Sequence, residues 1–164
     1  MALNIYDEYE RLLAEGNVQK AYRGIIQFML KCQSNLKTIC PDFEVSGIYQ
    51  GYMDMSYFSF TPKSLSEQGL KIAIVFLHES FAFQVWLSAR NRLLQDKYRV
   101  LLTQAGWNPS EISAPGPGVD SIIENSLVKR PDFEDPDRLI DQILQGAVEF
   151  SAKIDALLSN KVSL

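Results

Sequence analysis

Histidine, cysteine and net charge are all scarce in this chain, and each scarcity excludes a class of function. One histidine, His78, in 164 residues leaves no Cys/His cluster and no CxxC pair of the kind that builds a zinc site. The two cysteines, Cys32 and Cys40, fall eight positions apart around a helical pattern. The helical rise sets their Cα atoms about 12 Å apart, too far for a disulfide, so both are expected to be reduced and structural. The net charge is only −4, from 16 basic and 20 acidic residues, and such a balance gives no global field toward nucleic acid or anionic lipid. No apolar run approaches the roughly 20 residues that cross a bilayer. The opening MALNIYDEYERLL is acidic, whereas a secretory leader begins basic. A cytoplasmic location is expected, with no membrane contact. GxGxxG, the P-loop lysine and the GxSxG elbow are also missing, and the prolines of the 115–118 loop remove the N–H donors that a phosphate cradle needs.

What is present is enough for one folded domain. Hydrophobic residues make up 46% and charged residues 22%, a globular composition at a length that buries a core without staples. Residues 4–15 carry Ile5, Tyr9, Leu12 and Leu13 at helical spacing and stop at Gly16; a second helix runs from Val18 until Pro41 ends it. The two are expected to form a hairpin or corner packed on a sheet. From Glu44 the period changes to two. Segments 45–52 and 55–61 predict strands, with Met53-Asp54 at the turn and Gly47 and Gly51 marking a bulge or a close backbone approach. Ser64 and Glu67 have the spacing of a capping box for one helical turn.

Next comes the stretch that organises the chain, Leu70 to Arg90. Apolar runs 71–77 and 81–87, parted by His78-Glu79-Ser80, have the spacing of a β-hairpin. A third helix follows, with Leu94, Tyr98 and Leu102 in its stripe and Gly106 at its end. Segment 119–128 could be a fifth strand or a short helix, and its flanking Gly-Pro and Arg-Pro pairs favour a strand. Asp135 and Pro136 open a last helix over 137–158. The order α-α-β-β-β-β-α-(β)-α predicts an α+β domain, a single one over 1–164, with an antiparallel four- to five-stranded meander and helices packed on one face.

Three stretches, YQGYMDMSYFSFTPKSL (49–65), LKIAIVFLHESFAFQVWLSARNR (70–92) and GVDSIIENSLVKRPDF (118–133), together resemble an uncharacterised family of small, stand-alone bacterial proteins, over nearly the whole chain. The latter half resembles more loosely a domain of unknown function found after restriction-nuclease-like domains. The first resemblance implies no activity and no site residue. The second implies a connection with nucleic-acid metabolism or defence.

Alternation in the hairpin sends Ile72, Ile74, Phe76, Phe83, Val85 and Leu87 to the core. It leaves Tyr57, Ser59, Val75, Gln84, Trp86 and Arg90 on the other face. That face is too apolar to be a plain solvated surface. One reading makes it a binding site, with Trp86 as a stacking surface and Gln84 and Arg90 as polar anchors beside Tyr57. The other covers it with the 108–118 loop, a helix or a second subunit, a homodimer being the commonest specific form. A second candidate cluster is His78, Glu79 and Asp54, since an imidazole beside a carboxylate serves acid–base or metal chemistry; a polar, solvated hairpin turn is the simpler account of it. Arg90, Arg92, Lys97 and Arg99, with Lys71, could form a modest basic patch, but acids prevail over the whole chain and nucleic-acid binding is disfavoured. The expectation is a binding or interaction module for a small-molecule or protein partner, without cofactor or metal and without catalytic residues. The alternative is an enzyme or accessory factor linked to nucleic-acid metabolism or defence.

Overall fold

The computed structural model describes residues 4–162. Its first helix, α1 (Ile5–Glu15), is capped by the Asn4 side chain, which accepts from the Tyr6 and Asp7 amides at 2.9 and 3.0 Å. It stops at Gly16, where φ is +79°, the left-handed conformation that glycine adopts without a Cβ clash. Helix α2 (Asn17–Ile39) follows at once and buries Met29, Cys32 and Leu36. Burial pushes the Cys32 thiol up to about 12, and both cysteines are unpaired. The expectation that α1 also packs into the core is corrected. None of its residues is buried, and Ile5, Tyr6 and Tyr9 stay exposed. Amphipathicity records an apolar side of a helix; it does not supply a cover for it.

The remaining elements are β1 (Glu44–Val45), β2 (Met55–Thr61), the single turn α3 (Lys63–Ser66), β3 (Leu70–Leu77), β4 (Ala82–Ala89), α4 (Arg92–Gln104), a 3₁₀ turn at Pro109–Glu111, β5 (Ser121–Lys129) and α5 (Pro136–Val162). The five strands form one antiparallel meander in the order β1-β2-β3-β4-β5, as the sequence predicts. The ambiguous segment after Gly118 is strand β5. The expected strand over 45–52 shrinks to β1 and one bridge between Tyr49 and Tyr57. Val45 faces Phe60 and Tyr49 faces Tyr57, so one chain takes an additional residue between the two pairings, as a bulge does. Gln33 of α2 reaches into this irregular segment and donates to the Ser46 carbonyl. The glycine at 51 has φ of +74°, and a Cβ there would collide with the Met55 carbonyl. The Ser64–Glu67 capping box does not form: Ser64 Oγ donates to Asp155 of α5 at 2.8 Å.

One face of the sheet carries the core. Ile72 pairs with Leu87, Ile74 with Val85 and Phe76 with Phe83, and all six are fully buried. Phe28 of α2 packs on Phe83 at 5.7 Å between ring centroids, and Phe133, just ahead of α5, stands edge-on to Phe28 at 5.2 Å. Helix α4 closes with the left-handed Gly106, its N–H on Thr103 O and that of Trp107 on Leu102 O, both at 3.1 Å. That turn delivers Trp107 edge-on to Phe150 of α5, 5.7 Å between centroids.

Candidate functional site

The opposite face of the sheet is where alternation sends Tyr57, Val75, Gln84 and Trp86, and it holds a groove of about 450 Å³, within the usual range for small-molecule sites. Its floor is Ala73 and Val75 of β3; Tyr57 and Trp86, on the strands to either side, form walls. Cross-strand register puts Tyr57 opposite Val75 and Ala73 opposite Trp86. A small residue beside two aromatic ones leaves the depression. Gln84, two positions before Trp86 on the same face, does not line the groove. Its Oε1 accepts from the indole Nε1–H at 2.7 Å, so it is turned to the ring of Trp86. Register shifts between β4 and β5 fall at Phe83/Gln84 and Leu87/Ser88, one on each side of Trp86, and such bulges steepen the local twist and re-aim side chains. Beside Tyr57 lies a second ring, Tyr49, at 4.9 Å, which sequence reasoning missed because Tyr49 belongs to the bulged segment.

The 108–118 loop does not cover this face. Ile112 bridges Ile123, Ser113 N–H donates to Ile122 O at 2.9 Å, and the Ser113 and Ser121 hydroxyls stand 2.7 Å apart. The loop therefore extends the sheet beyond β5, and Trp86 remains half-buried at the groove.

Three cations meet at one end of the groove: Lys71, Arg90 and Arg92. Arg90 is exposed, its backbone N–H donates to Gly69 O at 2.9 Å, and a Cβ on Gly69 would come within 3.3 Å of Arg90 Nε. Its guanidinium thus lies along the Gly69 backbone, a close approach that glycine permits. Among the described residues, the Lys71 and Arg90 side chains have no carboxylate within ion-pair distance. Arg92 Nη1 donates to the Val119 carbonyl at 2.9 Å and the Gly116 carbonyl at 3.1 Å, both neutral acceptors. Asp120 is the one acid among the described residues that line the groove. The broader basic patch does not assemble. Arg99 is mostly covered and paired with Asp96 at 2.8 Å, and Lys97 lies over the Tyr98 ring at 5.3 Å. Arg92 opens α4 and Asp120 immediately precedes β5, and the strand pattern carries no signal for them.

His78 and Asp54 come together at the far end of the hairpin, and Glu79 does not join them. The backbone N–H of His78 donates to Asp54 O at 3.0 Å. The Asp54 carboxylate accepts from the Tyr52 amide at 2.9 Å, and backbone N–H groups hold it below the usual carboxylate range. The imidazole stacks on Tyr22 of α2 at 5.4 Å, meets the edge of Phe76 at 4.8 Å, and reaches Ser56 Oγ with Nε2 at 2.8 Å. It is therefore packed, which corrects the solvated-turn account. Burial pushes its pKa down, against a smaller upward pull from Asp54. Ser56 donates its single hydroxyl proton to the Gln50 carbonyl, which also accepts from Tyr22 OH at 2.8 Å. The imidazole must then be the donor to Ser56, with its proton on Nε2. Ser56 is fully buried, while His78 is half-buried; the pair ties the 49–54 segment to α2. Among the described residues no group of three or more His, Cys, Asp or Glu side chains is placed to hold a metal ion.

The chain belongs to the family described as domain of unknown function (DUF7000), which matches residues 3–158. No curated protein and no solved structure matches it.

Proposed function

We propose that the protein is a non-catalytic binding module that seats a small molecule on the outer face of its sheet. One observation carries this reading: a half-buried tryptophan, its ring held by Gln84 at 2.7 Å, walls a groove of about 450 Å³ with an apolar floor. A flat ring fixed by a side chain on its own strand is a prepared stacking surface. A larger recess of about 530 Å³ lies between α2 and the Phe133 turn, but its rim cation Lys31 is already paired with Asp137 at 3.3 Å. Unpaired cysteines support a reducing, cytoplasmic setting.

The test is a thermal-shift screen of metabolites on the intact chain and on Trp86→Ala. Ligands that raise the Tm of the wild type through binding to the folded state are expected to lose that effect in the variant. Equal shifts in both proteins would sink the proposal. So would a groove occupied by a second copy, seen as a dimer by sedimentation that Trp86→Ala converts to monomer.

A further inference from the structure

We infer that the groove takes a planar organic anion, its carboxylate or phosphate between Lys71 and Arg90 and its flat body against Trp86. The inference rests on the small-molecule reading above and adds the chemistry of the ligand. Four cations among the described residues are in ion pairs, Arg11 with Glu8 and Glu15, Lys31 with Asp137, Lys63 with Glu67 and Arg99 with Asp96. Among the described residues Lys71, Arg90 and Arg92 are, like most of the remaining cations, in no such pair, and what sets these three apart is that they line one groove with Trp86 and a single acid, Asp120. All three side chains are exposed, so they repel one another as surface charges do, and a bound anion reduces that repulsion most at low ionic strength.

The arrangement is also held in place before any ligand arrives. Arg92 is fixed by two loop carbonyls at 2.9 and 3.1 Å, and Arg90 runs along the backbone of Gly69. Beyond Lys71 and Arg90 the surface sinks again into a recess of about 250 Å³ beside Ser66 and Gly69. The two cations therefore stand between two depressions, where an anionic headgroup reaches both. At the other side, the indole of Trp86 borders the same groove. An aromatic face at one side and paired cations at the other specify a flat molecule with charge at one end.

The experiment titrates two matched pairs, 1-naphthoate with 1-naphthamide and AMP with adenosine, followed by tryptophan fluorescence and thermal shift at low ionic strength. The first pair tests a carboxylate and the second a phosphate. At least one anion is expected to bind about tenfold or more tightly than its neutral partner, and to weaken as salt is added. Arg90→Gln and Lys71→Gln, each checked for folding by circular dichroism, are expected to weaken that anion about tenfold and leave the neutral compound unchanged. A neutral compound that binds as tightly as its anion overturns the charge requirement and leaves the small-molecule groove standing. Undiminished binding of the anion by the Arg90→Gln and Lys71→Gln double variant overturns it in the same way. Failure of all four compounds to bind the folded wild type at millimolar concentration overturns the anion and counts against the groove as well.

Discussion

Neighbouring residues of β3 and β4 live under different rules. On the inner face, Ile72, Ile74, Phe76, Phe83, Val85 and Leu87 are fully buried, in one core with apolar residues of α2, α4 and α5. On the outer face Ala73 and Val75 are almost as buried, at 7% and 1% exposure, yet they line a groove, together with Arg92 and Gln95 from the start of α4. Larger side chains on adjacent strands, Tyr57 and Trp86, wall them in. The inner face is thus filled by size, while the outer face is shaped by a contrast of sizes. A core does nothing with charge beyond excluding it; a groove can be apolar at its floor and cationic at its end.

The sharpest way to break this comparison is Phe76→Ala. Phe76 is fully buried and touches the rings of Phe83, Phe81 and Phe133 at 4.8, 5.4 and 6.1 Å. Removing a core phenylalanine costs about 3–5 kcal/mol, from lost burial and from the cavity left behind, and urea unfolding will read it. Trp86→Ala is a larger deletion, but from a half-buried site that borders the open groove. It is expected to cost less, about 2–3 kcal/mol, while removing ligand-induced stabilisation. If the two variants lose equal stability, the outer face is a second core and not a site.

This division was legible in the sequence because period-two alternation assigns a face to every strand residue once one is fixed. Phe58, Phe60 and the six hairpin residues all follow it. What alternation cannot express is convergence between elements. Arg92, at the start of α4, and Asp120, just ahead of β5, reach the groove from elements that only the fold brings together. Tyr49 joins Tyr57 across a bulge that breaks the period. Phe81, which the apolar run counts as strand, sits in the turn with φ of +51°, a conformation that composition does not announce. Ser56 had a readable signal. Alternation places it inward with Phe58 and Phe60, and a buried hydroxyl needs partners, here Gln50 and His78.

That buried hydroxyl makes the inner side's polar margin sensitive to pH. The folded-state pKa of His78 lies below its ordinary 6.5 because burial disfavours the cation. Above 6.5 the ring is neutral folded or unfolded, and its contribution is whole. As pH falls below 6.5 the unfolded chain takes a proton that the folded chain resists, so stability declines until the folded pKa is passed. With one histidine in the chain, the slope of unfolding free energy between pH 6.5 and 5.5 reports this ring. His78→Gln keeps an N–H donor for Ser56 and is expected to flatten that slope. A slope unchanged in the variant would remove His78 from the account.

The smallest stability effect is expected at the cationic end of the groove. Lys71 and Arg90 are exposed and have no ion-pair partner among the described residues, so truncating either removes no attraction. Replacement of Arg90 by glutamine keeps most of the side chain along Gly69 and discards a charge that Lys71 and Arg92 repel. Stability should move by less than about 0.5 kcal/mol, in the stabilising direction at low salt. Salt screens exposed charges over about 10 Å at 0.1 M, so any gain should shrink as ionic strength rises. Comparing the Tm of wild type and Arg90→Gln at low and at high NaCl concentration checks the sign. A clear loss of stability in the variant, insensitive to salt, would mean that Arg90 serves the fold through packing and that the cationic end of the groove is not reserved for a ligand.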